Sequence, residues 1–187
     1  MTNRLTEDPK IDPKEITIRT QLLPGDLGYI AYIHGWLYAR EFGFGLHFEG
    51  YVLQGLQEFA RQYDPSKDRI WICGHKEKTV GGMIGFHREE GLQLRYFILL
   101  PEYRGLGLGR VLMDQFISFM KEKGYEKAFL WTTNEQNAAH SLYTRYGFRL
   151  TEEKTSAAFD KILTEQRYDL ELTDPSHTDH QRSVWEG

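Results

Sequence analysis

Among the 187 residues there is one cysteine, Cys73. No internal disulfide can therefore brace the fold. Cys73 ends the apolar run Ile70-Trp71-Ile72-Cys73, and the nearby sequence gives it no activating cation in an exposed setting. It reads as a small buried hydrophobe rather than a nucleophile. No apolar stretch approaches the ~18–20 residues of a membrane-spanning helix. Met1 to Pro9 lack the apolar core of a secretory signal. A cytoplasmic chain with no membrane partner is the expectation. Neither sign of charge is in large excess: the formal net charge is −4, which argues against a nucleic-acid-binding surface. His75, His87 and His140 show no ligand spacing with one another or with Cys73, so no metal is expected. No internal repeat is visible.

What is present suits a compact enzyme. With 40% hydrophobic and 27% charged residues, a single domain with a full core is expected. Residues 1–14 carry two prolines and read as an arm, residues 15–172 as the domain, and residues 173–187 as a polar tail in which Val184-Trp185 are the apolar exception. Whether the domain forms a homodimer is open. Alternation marks a first strand from Ile16 to Thr20, and Asp26 stands where a helix N-cap is expected. Leu27, Ile30, Ala31, His34, Leu37, Tyr38 and Glu41 share one helical face, and Gly43-Phe44-Gly45 ends that helix. A second apolar stripe runs from Tyr51 to Tyr63. Three strands follow as a meander, 69–75, 79–88 and 92–100, the last with Leu92, Leu94, Tyr96 and Ile98 on one face. A helix to about Lys123, a strand at 127–132, a helix at 136–146 and two strands at 149–155 and 165–172 complete the order. Pattern alone supports an α/β fold with a mixed sheet.

The most informative segment joins the meander to its following helix: Pro101-Glu102-Tyr103-Arg104-Gly105-Leu106-Gly107-Leu108-Gly109-Arg110. Glycines at a strand-to-helix turn let successive backbone N–H groups point into one concavity. The helix N-terminus adds partial positive charge there, so the turn suits a phosphate or pyrophosphate. Arg104 and Arg110 flank it and can add full charges. The glycines do not form G-x-G-x-x-G, and no acidic residue ~20 positions on completes a dinucleotide fingerprint. A P-loop would need Lys and Ser/Thr after the last glycine, where Arg110 and Val111 stand.

Two motifs narrow the choice. Arg104-x-x-Gly107-x-Gly109, directly after strand-Pro-x-Tyr, resembles the acetyl-CoA pyrophosphate loop of the GNAT superfamily of N-acyltransferases. Ala139-x-x-Leu142-Tyr143-x-x-x-Gly147-Phe148 resembles the second signature of that superfamily. The stretch from Gly25 through His34-Gly35, Tyr38, Glu41 and Gly43 is similar to the acetyltransferase half of fused MarR-type regulator/GNAT proteins. The resemblance implies a mixed, mostly antiparallel central sheet of about seven strands flanked by four helices, splayed between its fourth and fifth strands. It implies direct, acetyl-CoA-dependent acetylation of a primary amine on a small molecule, amino acid or protein.

Residue by residue, the resemblance places the pyrophosphate on Arg104, Gly105, Leu106, Gly107, Leu108, Gly109 and Arg110. It places the pantetheine arm and acyl oxygen on backbone N–H groups of Phe97, Ile98 and Leu99. Tyr143 matches the family tyrosine that hydrogen-bonds or protonates the CoA sulfur. Gln136, with Asn137 beside it, stands where the family usually has an asparagine holding the cofactor arm. The carboxylate many members carry on the fourth strand is absent: Gln93 and Arg95 stand there, and Arg95 reads equally as an acceptor-carboxylate ligand or an inter-strand ion pair. His34 and Glu41, seven residues apart on one helical face, are the candidate acceptor-side groups, with a base acting through water as the alternative. The runner-up reading is a non-catalytic acyl-CoA-binding or sensor module.

Overall fold

The computed structural model describes residues 11–172; residues 1–10 of the arm and the tail from 173, with Val184-Trp185, lie outside the described residues. The chain forms β1 (Ile16–Arg19), α1 (Asp26–Phe42), α2 (Leu46–Gln62), β2 (Arg69–His75), β3 (Lys78–Arg88), β4 (Gly91–Leu99), α3 (Leu108–Lys123), β5 (Lys127–Thr133), α4 (Asn137–Arg145), β6 (Arg149–Ser156) and β7 (Leu163–Glu171). One seven-stranded sheet has the order β1-β2-β3-β4-β5-β7-β6. Every neighbouring pair is antiparallel except β4 and β5, which run parallel. The expected architecture of seven strands and four helices is the one observed.

Both faces of the sheet are covered. α3 packs Leu112, Phe116 and Met120 against Trp71, Met83 and Leu92. On the other face α1 and α2 pack Ile30, Val52 and Phe59 against Ile70, Ile72, Ile84 and Phe86. Cys73 is fully buried in the first of these layers, and burial pushes its thiol up to about 12. It is the inert hydrophobe its surroundings imply.

Two features of β4 create the site. β4 pairs with β5 only at Leu92↔Ala128 and Gln93↔Phe129, so the β4 edge from Leu94 to Leu99 has no strand beside it. The sheet is split open there while β4 stays paired to β3 as far as Leu99. In the same stretch β4 carries a bulge: the register passes from Ile84↔Arg95 to Gly82↔Ile98, and Tyr96 adopts φ 53. An extra residue turns the following side chains to the opposite face. Leu92 and Leu94 therefore pack in the α3 layer, Tyr96 in the α1/α2 layer, and Ile98 against Ile33 and Leu37. The four residues do not share the one face that their alternation predicts; all are buried because both faces are covered.

Two helix starts also differ from expectation. Gly25, in a left-handed conformation, precedes α1, and Asp26 is its first residue. The Asp26 carboxylate accepts from Leu23 N–H at 2.7 Å and is held by Arg19. α2 begins at Leu46, ahead of the Tyr51 stripe. Its first turn buries only Phe48, so apolar spacing does not mark it.

Candidate active site

The glycine turn forms an amide cradle. The backbone N–H groups of Gly105, Leu106, Gly107, Leu108 and Gly109 enter no backbone hydrogen bond among the described residues; the first bonded amides are those of Arg110 and Val111, both to the Gly107 carbonyl. No side chain caps α3. Gly105 and Gly107 have φ 76 and 85, and a Cβ on either would meet nothing within 4 Å. Glycine is needed at these positions for the backbone conformation, and the space above them is open. Five free donors at the positive end of a sixteen-residue helix, beside open volume, could hold an anion of pyrophosphate size. Arg110 is exposed at its rim and has no carboxylate within ion-pair distance among the described residues. Leu106 and Leu108 contribute amides here, while the Leu108 side chain is buried in the core.

From the cradle a groove of about 430 Å³ runs into the split sheet. Its walls are Phe97, Ile98 and Leu99 of β4, Gly109 of α3, and Gln136, Asn137, Leu142 and Tyr143 at and within α4. Past Tyr38, Phe97, Gln136 and Tyr143 it meets an inner cavity of about 100 Å³. Tyr51, Gln93, Arg95, Trp131 and Glu165 in turn wall both that cavity and a polar cleft of about 970 Å³ beside α2. The three spaces are neighbours in the splay and share these walls pairwise. Two reactants entering from opposite ends would meet where the groove and inner cavity share walls.

Tyr143 stands at that meeting point. It is buried beside Phe97, Phe148 and Tyr168, and burial pushes its phenol well above 10. The hydroxyl keeps its proton at neutral pH and has no hydrogen-bond partner among the described residues, so it is free to donate into the splay. Gln136, at the α4 N-terminus, is held by a 2.9 Å bond between its carboxamide oxygen and the Thr132 hydroxyl. Asn137 is exposed at the groove wall.

His34 lines the inner cavity. Its Nδ1–H donates to the Ile30 carbonyl at 2.8 Å, which leaves Nε2 as an acceptor. Its ring packs between Tyr38 and Tyr96, and burial lowers its pKa to about 4. A lowered folded pKa means that between about 4 and 6.5 the unfolded chain holds a proton that the folded chain does not. This component of stability is complete at neutral pH and is lost as pH falls through that window. Between pH 7 and about pH 5 the loss amounts to about 2 kcal/mol. His34→Gln should remove it, which urea unfolding of both proteins at the two pH values would show as a smaller acid loss in the variant.

Glu41 does not line the inner cavity with His34. Its carboxylate receives both arms of the Arg104 guanidinium, at 2.8 and 3.0 Å, and lines the groove beside the cradle. Arg104 Nε donates to the Leu99 carbonyl at 3.0 Å. The Arg104 fork therefore ties the last turn of α1 to the end of β4 beneath the cradle, and is not directed at a phosphate as the sequence suggests. Glu41→Gln should loosen this tie. Given the modest value of partly exposed pairs, CoA affinity should fall about fivefold, with the acceptor KM unchanged. Titration calorimetry with CoA and steady-state kinetics would read the two effects separately.

Sequence reasoning missed Glu165 on β7, a half-buried carboxylate that lines both the inner cavity and the outer cleft, with Lys154 at 3.4 Å. It also missed the strap over the inner cavity. Phe159 packs on Phe44 and Phe48, and Lys161 spans to Glu135 at 2.7 Å and to the Phe42 carbonyl at 2.8 Å. These residues lie outside both motifs and carry no spacing signal.

A sequence model of the acetyltransferase (GNAT) family matches residues 31–148, the span from α1 to the end of the second signature. An uncharacterised N-acetyltransferase of Schizosaccharomyces pombe is 29% identical over 143 residues, 75% of this chain and 86% of that protein. The probable N-acetyltransferase camello of Xenopus tropicalis is 28% identical over 62% of this chain, and the match spans about half, 54%, of the frog protein. The crystal structure of an acetyltransferase from Streptococcus agalactiae superposes with a TM-score of 0.69, covering 85% of this chain and 99% of that one at 20% identity. With a matched family model over most of its length, the split sheet and the amide cradle, the chain belongs to the acetyltransferase (GNAT) family.

Proposed function

We propose that the protein transfers an acetyl group directly from acetyl-CoA to a primary amine, with the two substrates entering the splay from opposite ends. The carrying observation is that the groove beside the amide cradle and the inner cavity share the walls Tyr38, Phe97, Gln136 and Tyr143. Acetyl-CoA fits the cofactor side by its chemistry: a pyrophosphate for the free amides of Gly105 to Gly109, and a long uncharged arm for a groove walled by Phe97, Leu99, Leu142 and Ala139. Bound there, it supplies an activated thioester. The unpaired edge of β4 offers the backbone N–H groups of Phe97 and Leu99 to the arm and to the acyl oxygen, whereas alternation turns the Ile98 N–H, like that of Leu100, toward β3 and away from the site the sequence suggests. Tyr143 donates a hydrogen bond to the sulfur as charge develops on it. Gln136 and Asn137 orient the arm at the α4 N-terminus.

On the acceptor side, His34 Nε2 is a fixed hydrogen-bond acceptor that orients the amine. Its depressed pKa makes it a weak proton acceptor, so it positions more than it deprotonates. The carboxylate of Glu165, acting through water in the outer cleft, is the better-placed proton sink. Glu41 serves the cofactor side through Arg104. The subgroup resemblance through Gly25 to Gly43 agrees with α1 forming one wall of the acceptor pocket. The test is turnover: acetyl-CoA and a panel of amines should yield free CoA thiol and N-acetyl product in equal amounts. Tight acetyl-CoA binding with no thiol release from any amine would favour the non-catalytic module.

A further inference from the structure

We propose that the acceptor is an amino acid, and that Arg95 recognises its carboxylate. The inference rests on the acetyl-transfer reading and adds the acceptor class. Arg95 immediately precedes the Tyr96 bulge and lines both the inner cavity and the outer cleft. Its side chain is only 11% exposed. The nearest carboxylate among the described residues is Glu58 at 3.7 Å, beyond hydrogen-bond reach, and Glu58 is already gripped by both arms of Arg88 at 2.6 and 3.0 Å. The Arg95 guanidinium makes no hydrogen bond among the described residues. The guanidinium lines the cleft with its five N–H donors unclaimed by any protein acceptor among the described residues, so a carboxylate can take them without displacing a protein partner.

The surroundings keep this group free and aimed. The Tyr96 and Tyr51 rings lie 4.8 and 5.9 Å from its central carbon and orient the plane without supplying an acceptor. Gly55 on α2 leaves the room it occupies: a Cβ there would sit 2.6 Å from Arg95 Nη2 and would strike the Tyr96 hydroxyl. The other charged group of the inner cavity, Glu165, already faces Lys154 at 3.4 Å. Glu58 is shared between Arg88 and Arg95, so this end of the cavity keeps one positive charge in excess. A planar guanidinium fork matches a carboxylate in two parallel hydrogen bonds. Tyr143 and Gln136 stand at the end of the same cavity that it shares with the cofactor groove. An acceptor carrying a carboxylate at Arg95 would present its amine toward that end. The aromatic walls from Tyr38, Phe44, Phe48 and Phe159 suit an apolar side chain on the acceptor.

The test compares matched pairs with acetyl-CoA: leucine against 3-methylbutylamine, and phenylalanine against 2-phenylethylamine. Loss of hydrogen bonds to a charged group predicts at least a ~10-fold preference in kcat/KM for the amino acid, and Arg95→Met should abolish that preference. A second arm does not depend on turnover. Calorimetry on CoA-saturated protein should show binding of 3-phenylpropanoate but not of 3-phenylpropanamide, and no binding of either to Arg95→Met. Should Arg95→Met fail to fold, Arg95→Lys keeps the charge without the fork and should weaken 3-phenylpropanoate. Equal turnover of acid and decarboxylated amine, or undiminished 3-phenylpropanoate binding in the folded variant, would overturn the proposal. If no amine is acetylated, the transfer reading fails, and the calorimetric arm alone decides whether Arg95 is a carboxylate site.

Discussion

Tyr143→Phe is expected to lower kcat by ~10²–10⁴-fold, the usual value of a positioned general acid. The substitution removes one hydroxyl and almost no volume, so the contacts with Phe97, Phe148 and Tyr168 persist. Burial holds the phenol well above 10, so it is a neutral donor throughout the working pH range. A donor of high pKa does not by itself drive full proton transfer to a thiolate of ordinary pKa ~8.5. The contribution proposed for it is a hydrogen bond that strengthens as the sulfur gains charge in a water-poor site. That bond is weak to a neutral thioester, so CoA affinity should change by less than about twofold. Steady-state kinetics with any accepted amine, alongside CoA calorimetry, checks both halves. A variant with wild-type kcat where chemistry limits the rate would reduce Tyr143 to a packing residue.

Gly107→Val should abolish measurable CoA binding, a loss of at least ~100-fold, while the protein remains folded. A Cβ at this position meets no protein atom within 4 Å, so the core is not disturbed. The cost to the fold is the left-handed backbone, φ 85, at about 1–2 kcal/mol for an L residue. The cost to the ligand is larger. The added side chain fills the volume above the free amides, and each charge-assisted hydrogen bond lost there is worth about 1.5–3 kcal/mol. Two such bonds account for the expected loss. Circular dichroism would confirm the fold and calorimetry the affinity. Unchanged CoA affinity in a folded variant would remove the cradle from the account.

Which of these residues could be read from the chain follows from how each is fixed. The cradle and the Tyr143 signature are local: their residues lie within ten positions of one another, and glycine placement and helix phase determine them. The element order is legible for the same reason. The bulge at Tyr96 is not, because Leu92, Leu94, Tyr96 and Ile98 alternate without interruption across it. An inserted residue in one strand leaves no mark when both faces are apolar. Glu41 illustrates the limit of helical phase. It shares a face with His34 and Tyr38, but α1 runs past the inner cavity, and its last turn reaches Arg104 beside the cradle. Glu165 and Lys161 are brought to the site by β7 and the strap before it, and no local pattern announces a contact made by sheet order. The excess charge at Arg95 depends on Glu58 being shared with Arg88, so the sequence alone leaves its two readings equal.

The central claim is that the splay brings a thioester and an amine together at Tyr143. It is tested most directly by following acetyl-CoA and an amino acid acceptor in the wild-type protein, with thiol release and N-acetyl product measured in the same reaction. The account predicts that the two appear in equal amounts, that both fall by ~10²–10⁴-fold in Tyr143→Phe, and that neither appears in Gly107→Val. Acetyl-CoA bound by the wild-type protein with no thiol released above the buffer rate, whatever amine is supplied, would contradict it.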